Sequence, residues 1–193
     1  MKIDNPENRI AIANLICDLR LKDYPINIYK RLINTLLWSV TTDSYNGKVD
    51  DIKYKKLYWT EKAIKKRNKN IKDKVDINKG LRHEHLIPKN LIRNSIESLK
   101  QPTPELILEV INNYEFAAIV TKEEDDKINK IGLRQKIPKG YTLENATEDL
   151  VLSRYIEAGI KLYEVQFIEN EVRSINEKLI FKNKKHIIRP DKG

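Results

Sequence analysis

The sequence is poor in the residues that make covalent cross-links and thiolate metal sites. Its 193 residues include one cysteine, one methionine, six glycines and three histidines. The single Cys17 excludes an intrachain disulfide and a zinc site built from cysteines. Cys17 lies within a stretch whose apolar residues, Ile12, Leu15, Ile16 and Leu19, recur at helical spacing, which predicts a small buried side chain. A glycine-rich phosphate loop, a Gly-x-Ser-x-Gly motif and a cysteine nucleophile are also missing, so nucleotide hydrolysis and acyl transfer have no support.

Long apolar runs are absent as well. No stretch approaches the roughly 18 residues that a membrane-spanning helix needs. The opening residues, MKIDNPENRI, lack the apolar core of a signal peptide. We therefore expect a cytoplasmic protein without membrane contact. A composition of 40% hydrophobic and 34% charged residues predicts a globular chain with an adequate core.

Positive charge is the property in excess. The net charge of +9 predicts attraction to polyanions, and to nucleic acid before others. The basic residues concentrate between residues 53 and 79, where Tyr54, Tyr58 and Trp59 are interleaved. This pattern is typical of phosphate contacts with stacking rings; the alternative is that the lysines solvate a helix while the aromatic rings face the core. The predicted nucleic-acid contacts are Lys62, Lys65, Lys66, Arg67, Lys69, Arg82 and Lys89.

Hydrophobic periodicity predicts an α+β fold. Two amphipathic helices, over residues 6–22 and 25–40, are expected to form a helical arm or to pack against the core, and they are a candidate surface for a protein partner or a homodimer. We divide the chain into this arm, residues 1–45, and an α+β domain with a basic C-terminal tail, residues 46–193. In the second part, helices are predicted over residues 58–70, 88–100, 104–113, 121–130 and 143–158, and strands over residues 77–85, 114–120 and 161–168. Thr60 is a candidate helix cap and Thr121 is the expected N-cap of the helix that it begins.

The scarce histidines cluster in the stretch GLRHEHLIPKNLI. His83 and His85 flank Glu84 there, and a proline follows three residues after the second histidine. A later predicted strand ends in Val-Thr and leads into a helix whose first turns are rich in carboxylates. Phosphodiester hydrolysis needs a base for water and a divalent cation at the scissile phosphate. Imidazole is a suitable base near neutral pH, and acids or amides are suitable ligands for magnesium or manganese.

These motifs resemble a known family. EHLIP resembles the first strand of the HNH endonucleases, the ββα-metal nucleases, and AIVTKEEDDKINK is similar to their second strand and helix. The resemblance implies a ββα-metal-like core, here with a helical insertion between the two strands, and one magnesium or manganese ion. It also implies Glu84 as a metal ligand, His85 as the general base, and Asp125 with Asn129 as the helical ligand pair. DNA is implied as the substrate in preference to RNA.

The residues themselves leave alternatives open. Strand alternation places His83 beside His85 and Glu84 on the opposite face, so His83 is a second candidate for the ligand or base. Glu124 replaces Asp125 as a ligand if the helix register differs by one residue. A purely structural role follows if Glu84 pairs with a basic side chain and His85 caps a turn.

The functional hypothesis is therefore an HNH-like metal-dependent endonuclease, with a role in restriction, a phage or other mobile element, a toxin or a defence system. The competing hypothesis is a non-catalytic basic protein that binds nucleic acid, such as a regulator or a phage-encoded inhibitor of defence. A ββα-metal fold that has lost its activity is a third. Metal-dependent turnover separates them.

Overall fold

The computed structural model describes residues 6–22, 24–41, 58–143, 148–168 and 171–176, which form seven α-helices and five strands. The α+β class is confirmed. In chain order the elements are α1 (Pro6–Leu21), α2 (Ile26–Thr41), β1 (Tyr58–Thr60), α3 (Glu61–Lys72), β2 (Leu81–His85), α4 (Lys89–Glu97), α5 (Pro104–Tyr114), β3 (Ala117–Thr121), α6 (Lys122–Lys130), α7 (Glu148–Glu157), β4 (Leu162–Ile168) and β5 (Glu171–Asn176).

The strands form one mixed sheet in the order β2-β3-β1-β4-β5. β2 runs antiparallel to β3 and lies at the edge of the sheet, while β3 and β1 are parallel. The remaining neighbours, β1 with β4 and β4 with β5, are antiparallel. In the β2–β3 register Glu84 lies opposite Ala118 and His85 lies opposite Ala117, so the two neighbouring residues belong to opposite faces of the sheet.

Each face of the sheet has its own hydrophobic cluster. On one face, α3 packs over Trp59, Leu81 and Ile119. On the other face, α6 and α7 bury a larger cluster that includes Val120, Ile128, Leu152 and Tyr155, among others. Glu84 belongs to the face of α6 and α7, because its register partner Ala118 lies in that cluster.

A third cluster joins the N-terminal helices to the segment between β2 and β3. Ile16 of α1, Ile33 of α2, Ile96 of α4 and Ile107 of α5 are all fully buried in it. The side chain of Arg9 adds a polar tie, since it donates to the carbonyl oxygen of Ile111 at 3.2 Å. The helical insertion expected between the two strands is therefore present as α4 and α5, and it packs against α1 and α2. The expected division at residue 45 lies outside the described residues.

Threonine caps begin the two helices that follow the parallel strands. Thr60 accepts a hydrogen bond from the backbone of Ala63, and Thr121 accepts one from the backbone of Glu124. The carboxylate of Glu124 completes a capping box by accepting from the backbone N–H of Thr121 at 3.0 Å, and it also accepts from the Thr60 hydroxyl at 2.6 Å. Both caps were predicted from the sequence. The link between them through one carboxylate was not.

The strand β1 departs from the sequence prediction. Tyr58 and Trp59 were expected at the start of a basic helix, with their rings either stacking on nucleic acid or facing the core. They instead form a three-residue strand between β3 and β4, and Tyr58 and Trp59 are 8% and 0% exposed. Three residues are too few to show a strand period, and full burial on both faces removes the alternation that usually marks a strand. The strand β5 was missed as well.

No helix among the described residues has the length and apolar character that crossing a membrane requires.

The two threonine caps that the carboxylate of Glu124 joins, here called the double cap, lead to a prediction for stability. Replacing Glu124, which is 6% exposed, by alanine removes its bonds to the Thr121 backbone and the Thr60 hydroxyl. We expect a loss of about 1–2 kcal/mol in the free energy of unfolding, measured by urea denaturation. Asp126→Ala, two positions later and exposed, is the matched control and should change it by less than about 0.5 kcal/mol. Equal effects of the two changes would contradict this role for Glu124.

Candidate active site

The residues implied by the two motifs line one cleft at the edge of the sheet. Its volume is about 510 Å³, within the range of about 300–1,000 Å³ that ligand pockets occupy. Glu84 and His85 reach it from the end of β2, and Asp125 and Asn129 reach it from α6. Because β2 is an edge strand, the cleft is lined by residues from both faces of the sheet. The other lining residues are Asn34, Trp38, Pro88, Lys89, Asn90, Arg93, Arg134 and Gln135.

An ion pair with a fully buried arginine holds Glu84 in place. The carboxylate Oε1 of Glu84 accepts a hydrogen bond from Nη2 of Arg154 at 2.9 Å, and the Arg154 side chain is 0% exposed. Burial raises the pKa of Glu84; the guanidinium of Arg154 opposes the rise and the negative charge of Asp125 adds to it. Since the folded-state pKa is raised, Glu84 contributes stability that is greatest below its unfolded pKa of about 4.3 and is lost as the pH rises through the folded value.

Arg154 also fixes the chain around the cleft. Its guanidinium donates to the carbonyl oxygens of Leu133 and His85, both at 2.8 Å, and makes longer bonds to those of Leu86 and Arg134 at 3.4 Å. One side chain of α7 thereby joins the end of β2 to the loop after α6. Nothing in the sequence around Arg154 identifies Glu84 as its partner.

The helical pair lies on one side of α6, as four-residue spacing predicts. The amide Nδ2 of Asn129 donates to Oδ1 of Asp125 at 3.3 Å, and both side chains are partly buried. Asp125 lies close enough to Glu84 for its negative charge to raise the pKa of Glu84. Two carboxylates and an amide therefore face the same cleft. Their role as metal ligands stays a prediction.

Glu124 differs from its neighbour. Its carboxylate is buried in the double cap and does not line the cleft. The expectation that Glu124 could substitute for Asp125 as a ligand finds no geometric support, because the helix register directs Asp125, and not Glu124, to the cleft. In the structure Glu124 is a helix-capping residue, which corrects the alternative that it replaces Asp125 as a ligand.

The two histidines lie together on the other face of β2, as strand alternation predicts. Their ring centroids are 5.2 Å apart, and Trp38 of α2 covers both, with centroid distances of 4.6 Å to His83 and 5.2 Å to His85. The Nδ1 atom of His85 lies 2.8 Å from Oε1 of Glu115, a carboxylate that is 0% exposed. This pairing orients the imidazole and places Nε2 as the atom that can exchange a proton. The ring nitrogens of both histidines are shielded from solvent.

The predicted nucleic-acid contacts divide into three groups. Lys62, Lys65, Lys66 and Lys69 of α3 are exposed or half-buried, and Lys65 pairs with Glu61. Arg67 is 6% exposed; its guanidinium lies 5.9 Å from the Trp59 ring and donates to Asn78. Arg67 is thus a structural residue in this arrangement, together with the buried rings of Tyr58 and Trp59. Arg82 is exposed on the edge strand, and Lys89 lines the cleft.

Several residues that shape the cleft were not identified from the sequence. Trp38 and Asn34 come from the N-terminal helices, which were expected to serve as an arm. Their spacing from Arg31 places all three on one face of α2, which is the signal that could have found them. Glu115 gave no such signal, because its partner His85 is far away in the sequence.

The cleft offers few side-chain ligands for a metal ion, but they are oxygen ligands of the kind that a hard divalent cation prefers. Among the described residues, no group of three or more His, Cys, Asp or Glu side chains is arranged to hold a metal ion. Glu84 and Asp125 supply two carboxylates, and Asn129 supplies an amide. Magnesium commonly binds proteins through one or two carboxylates and keeps several water ligands, so these three side chains fit that ion.

No known protein family, curated protein or solved structure matches this chain. The resemblance to HNH endonucleases therefore stays a prediction from the two short sequence motifs.

The contacts of Arg154 lead to a prediction for the stability of the fold. Arg154→Met leaves the half-buried carboxylate of Glu84 without its cation and removes several charge-assisted hydrogen bonds. We expect a loss of about 3–5 kcal/mol in the free energy of unfolding, measured by urea denaturation. Arg134→Met, at an exposed side chain, is the control and should stay within about 0.5 kcal/mol. Adding Glu84→Gln to Arg154→Met should recover part of the loss; a double variant less stable than Arg154→Met alone would contradict the pairing.

Proposed function

We propose that this protein is an HNH-like, metal-dependent endonuclease that cleaves phosphodiester bonds of nucleic acid, with DNA as the favoured substrate. The observation that supports it is the shared cleft, in which Glu84 and His85 meet Asp125 and Asn129. The antiparallel pair β2–β3 followed directly by α6 also has the β-β-α order of that family. Residues that the resemblance implies, from two motifs distant in the sequence, thus line one concave site.

In this proposal Glu84, Asp125 and Asn129 hold one magnesium or manganese ion. The ion, when bound, neutralises charge on the scissile phosphate and on the leaving oxygen. The contact with Arg154 engages Oε1 of Glu84, and a carboxylate can accept about four hydrogen bonds or ligand contacts. The same guanidinium holds the carboxylate toward α6. Arg154 is thereby a positioning residue for the ligand set.

His85 is the proposed general base. The buried Glu115 carboxylate next to Nδ1 keeps the proton on that nitrogen and favours proton uptake at Nε2. Trp38 covers the ring, so Trp38 has to shift for water to reach it. His83, on the same face, is the alternative base.

A non-catalytic nucleic-acid-binding protein is the second candidate function. Two observations favour it: the described residues contain no three-membered ligand cluster, and the buried Arg154 already neutralises Glu84. The lysines of α3 would serve either function. Metal-dependent turnover is again the property that distinguishes the two.

The metal site is tested with neighbouring residues of α6. Asp125→Asn should abolish cleavage of supercoiled plasmid and should remove the rise in melting temperature that manganese or magnesium produces by mass action. Asp126→Asn, one residue later and exposed, changes the net charge equally and should retain both properties. His85→Ala should lower the cleavage rate by roughly 10²–10⁴-fold without abolishing the metal-dependent melting shift.

The outcomes of this experiment are separable. A larger loss with His83→Ala than with His85→Ala would transfer the base to His83. If the wild type cleaves neither plasmid nor single-stranded RNA with any divalent metal, and its melting temperature does not respond to metal, the nuclease proposal fails and the binding-protein function replaces it.

The basic face of α3 is tested by salt dependence. Lys66 of α3 packs over Gly80 at the start of β2, roughly 13 Å along the strand from Glu84, so duplex bound at the cleft would extend to these lysines. The combined change of Lys62, Lys65 and Lys69 to alanine should weaken duplex binding. It should also lower the slope of log K against log salt by about 0.9 for each phosphate that the variant no longer neutralises. Binding is measured by fluorescence anisotropy over a salt series. An unchanged slope would assign these lysines to solvation of the helix.

A further inference from the structure

A second groove adjoins the candidate active site. It has a volume of about 490 Å³ and is lined by Arg31, Asn34, Thr35, Trp38 and Lys89. Asn34, Trp38 and Lys89 also line the candidate active site, so the two spaces are continuous. None of the described residues that line this second groove is acidic. We call it the α2 groove.

The sequence of α2 explains how the α2 groove forms. Arg31, Asn34, Thr35 and Trp38 follow the spacing i, i+3, i+4 and i+7, which places them on one face of the helix over about 10 Å. The core face of α2 carries Ile33, Leu37 and other residues buried against the helical cluster. The groove face is therefore a separate polar and aromatic stripe. Core packing does not require an arginine and a tryptophan at these positions.

The side chains around Trp38 have the character of a nucleotide site. Trp38 is 37% exposed although it is large and apolar. The ammonium of Lys89 lies 4.5 Å from the centroid of its ring. Arg93 donates to the side-chain amide oxygen of Asn34 at 3.1 Å, and an amide whose oxygen is engaged offers its N–H donors to a ligand.

The cation over Trp38 occupies the position that a base would take. The ammonium of Lys89 is half-buried, and its cation–π contact is comparable in strength to the stacking of a base on an aromatic side chain. When a base replaces the ammonium on the ring, Lys89 becomes available for a flanking phosphate, where it gains an ion pair. The exchange therefore favours the nucleotide.

We infer that the α2 groove binds an unpaired nucleotide of a nucleic-acid strand, with the base stacked on Trp38 and the flanking phosphates held by Arg31 and Lys89. The nucleotide has to be unpaired because the faces of bases inside a duplex are already stacked on their neighbours. A duplex at the active site can therefore fill the α2 groove only with an unpaired or extruded base. The inference rests on the proposed function in one respect: only if the adjoining cleft is the active site does a strand bound in the α2 groove lead into it. The helix α2 then forms part of the substrate site.

Intrinsic fluorescence provides the test, because the chain has two tryptophans and Trp59 is fully buried. A thymidine oligonucleotide of about eight nucleotides, added in EDTA so that no cleavage can occur, should quench the emission of Trp38 on binding. By anisotropy, Trp38→Ala should weaken binding roughly 5- to 100-fold. Trp38→Phe, which keeps a stacking ring, should retain most of the affinity. Circular dichroism and melting curves establish that each variant is folded.

Matched charge changes complete the experiment. Arg31→Ala and Lys89→Ala should each weaken binding at least about threefold, whereas Lys30→Ala, the exposed neighbour of Arg31 outside the groove, should have little effect. Equal affinity of wild type and Trp38→Ala, or equal losses with Lys30→Ala and Arg31→Ala, would overturn the inference. The binding assay needs no metal, so its result is independent of cleavage. If the wild type binds the oligonucleotide in this way but cleaves no nucleic acid with any divalent metal, the inference is retained and the nuclease proposal is rejected.

Discussion

The geometry of the cleft depends on one buried guanidinium. Taking a charge out of water is costly unless it is paired and hydrogen-bonded. Arg154 meets this condition with the carboxylate of Glu84 and with backbone carbonyl oxygens from two other segments. Arginine suits this position because its planar, five-donor group has fixed geometry and stays charged. The end of β2, the loop after α6 and the helix α7 are consequently held in one arrangement, and Glu84 is held with them.

The second constraint is the position of β2 at the edge of the sheet. Adjacent residues of a strand face opposite sides, so Glu84 and His85 cannot share a face. An interior strand would separate them by the thickness of the sheet and its neighbours. At an edge, a single cleft can be lined by both faces, with α6 supplying polar groups on one side and α2 supplying Trp38 on the other.

Local signals in the sequence predicted local structure well. Thr60 and Thr121 were identified as caps because a capping hydroxyl acts within three residues. The shared face of Asp125 and Asn129 follows from helix geometry alone. The strands β2, β3 and β4 were predicted, β2 as a short segment bounded by glycine and β3 from its apolar run, whereas the three residues of β1 were too short to carry a period. The α+β class followed from the order of these elements.

Contacts between distant residues could not be predicted in the same way. Arg154 and Glu84 are 70 residues apart, and nothing near either residue identifies its partner. The same holds for His85 with Glu115, and for Trp38, whose ring contacts both histidines from a helix of the N-terminal region. Burial of Tyr58 and Trp59 likewise depends on the strands that flank them. The sequence shows which chemical groups each side chain carries. Which groups contact each other depends on tertiary packing and could not be predicted.

The packing of α1 and α2 against α4 and α5 restricts how the chain can be shortened. The first pair precedes the sheet, and the second interrupts the β2–β3 hairpin, yet each covers the apolar face of the other. Removing one pair would expose Ile33 or Ile96 and their neighbours to water, with a cost of about 25 cal/mol for each Å² of apolar surface exposed. The two segments therefore form a unit that can be gained or lost only together, and a minimal fragment of this protein must keep both or omit both.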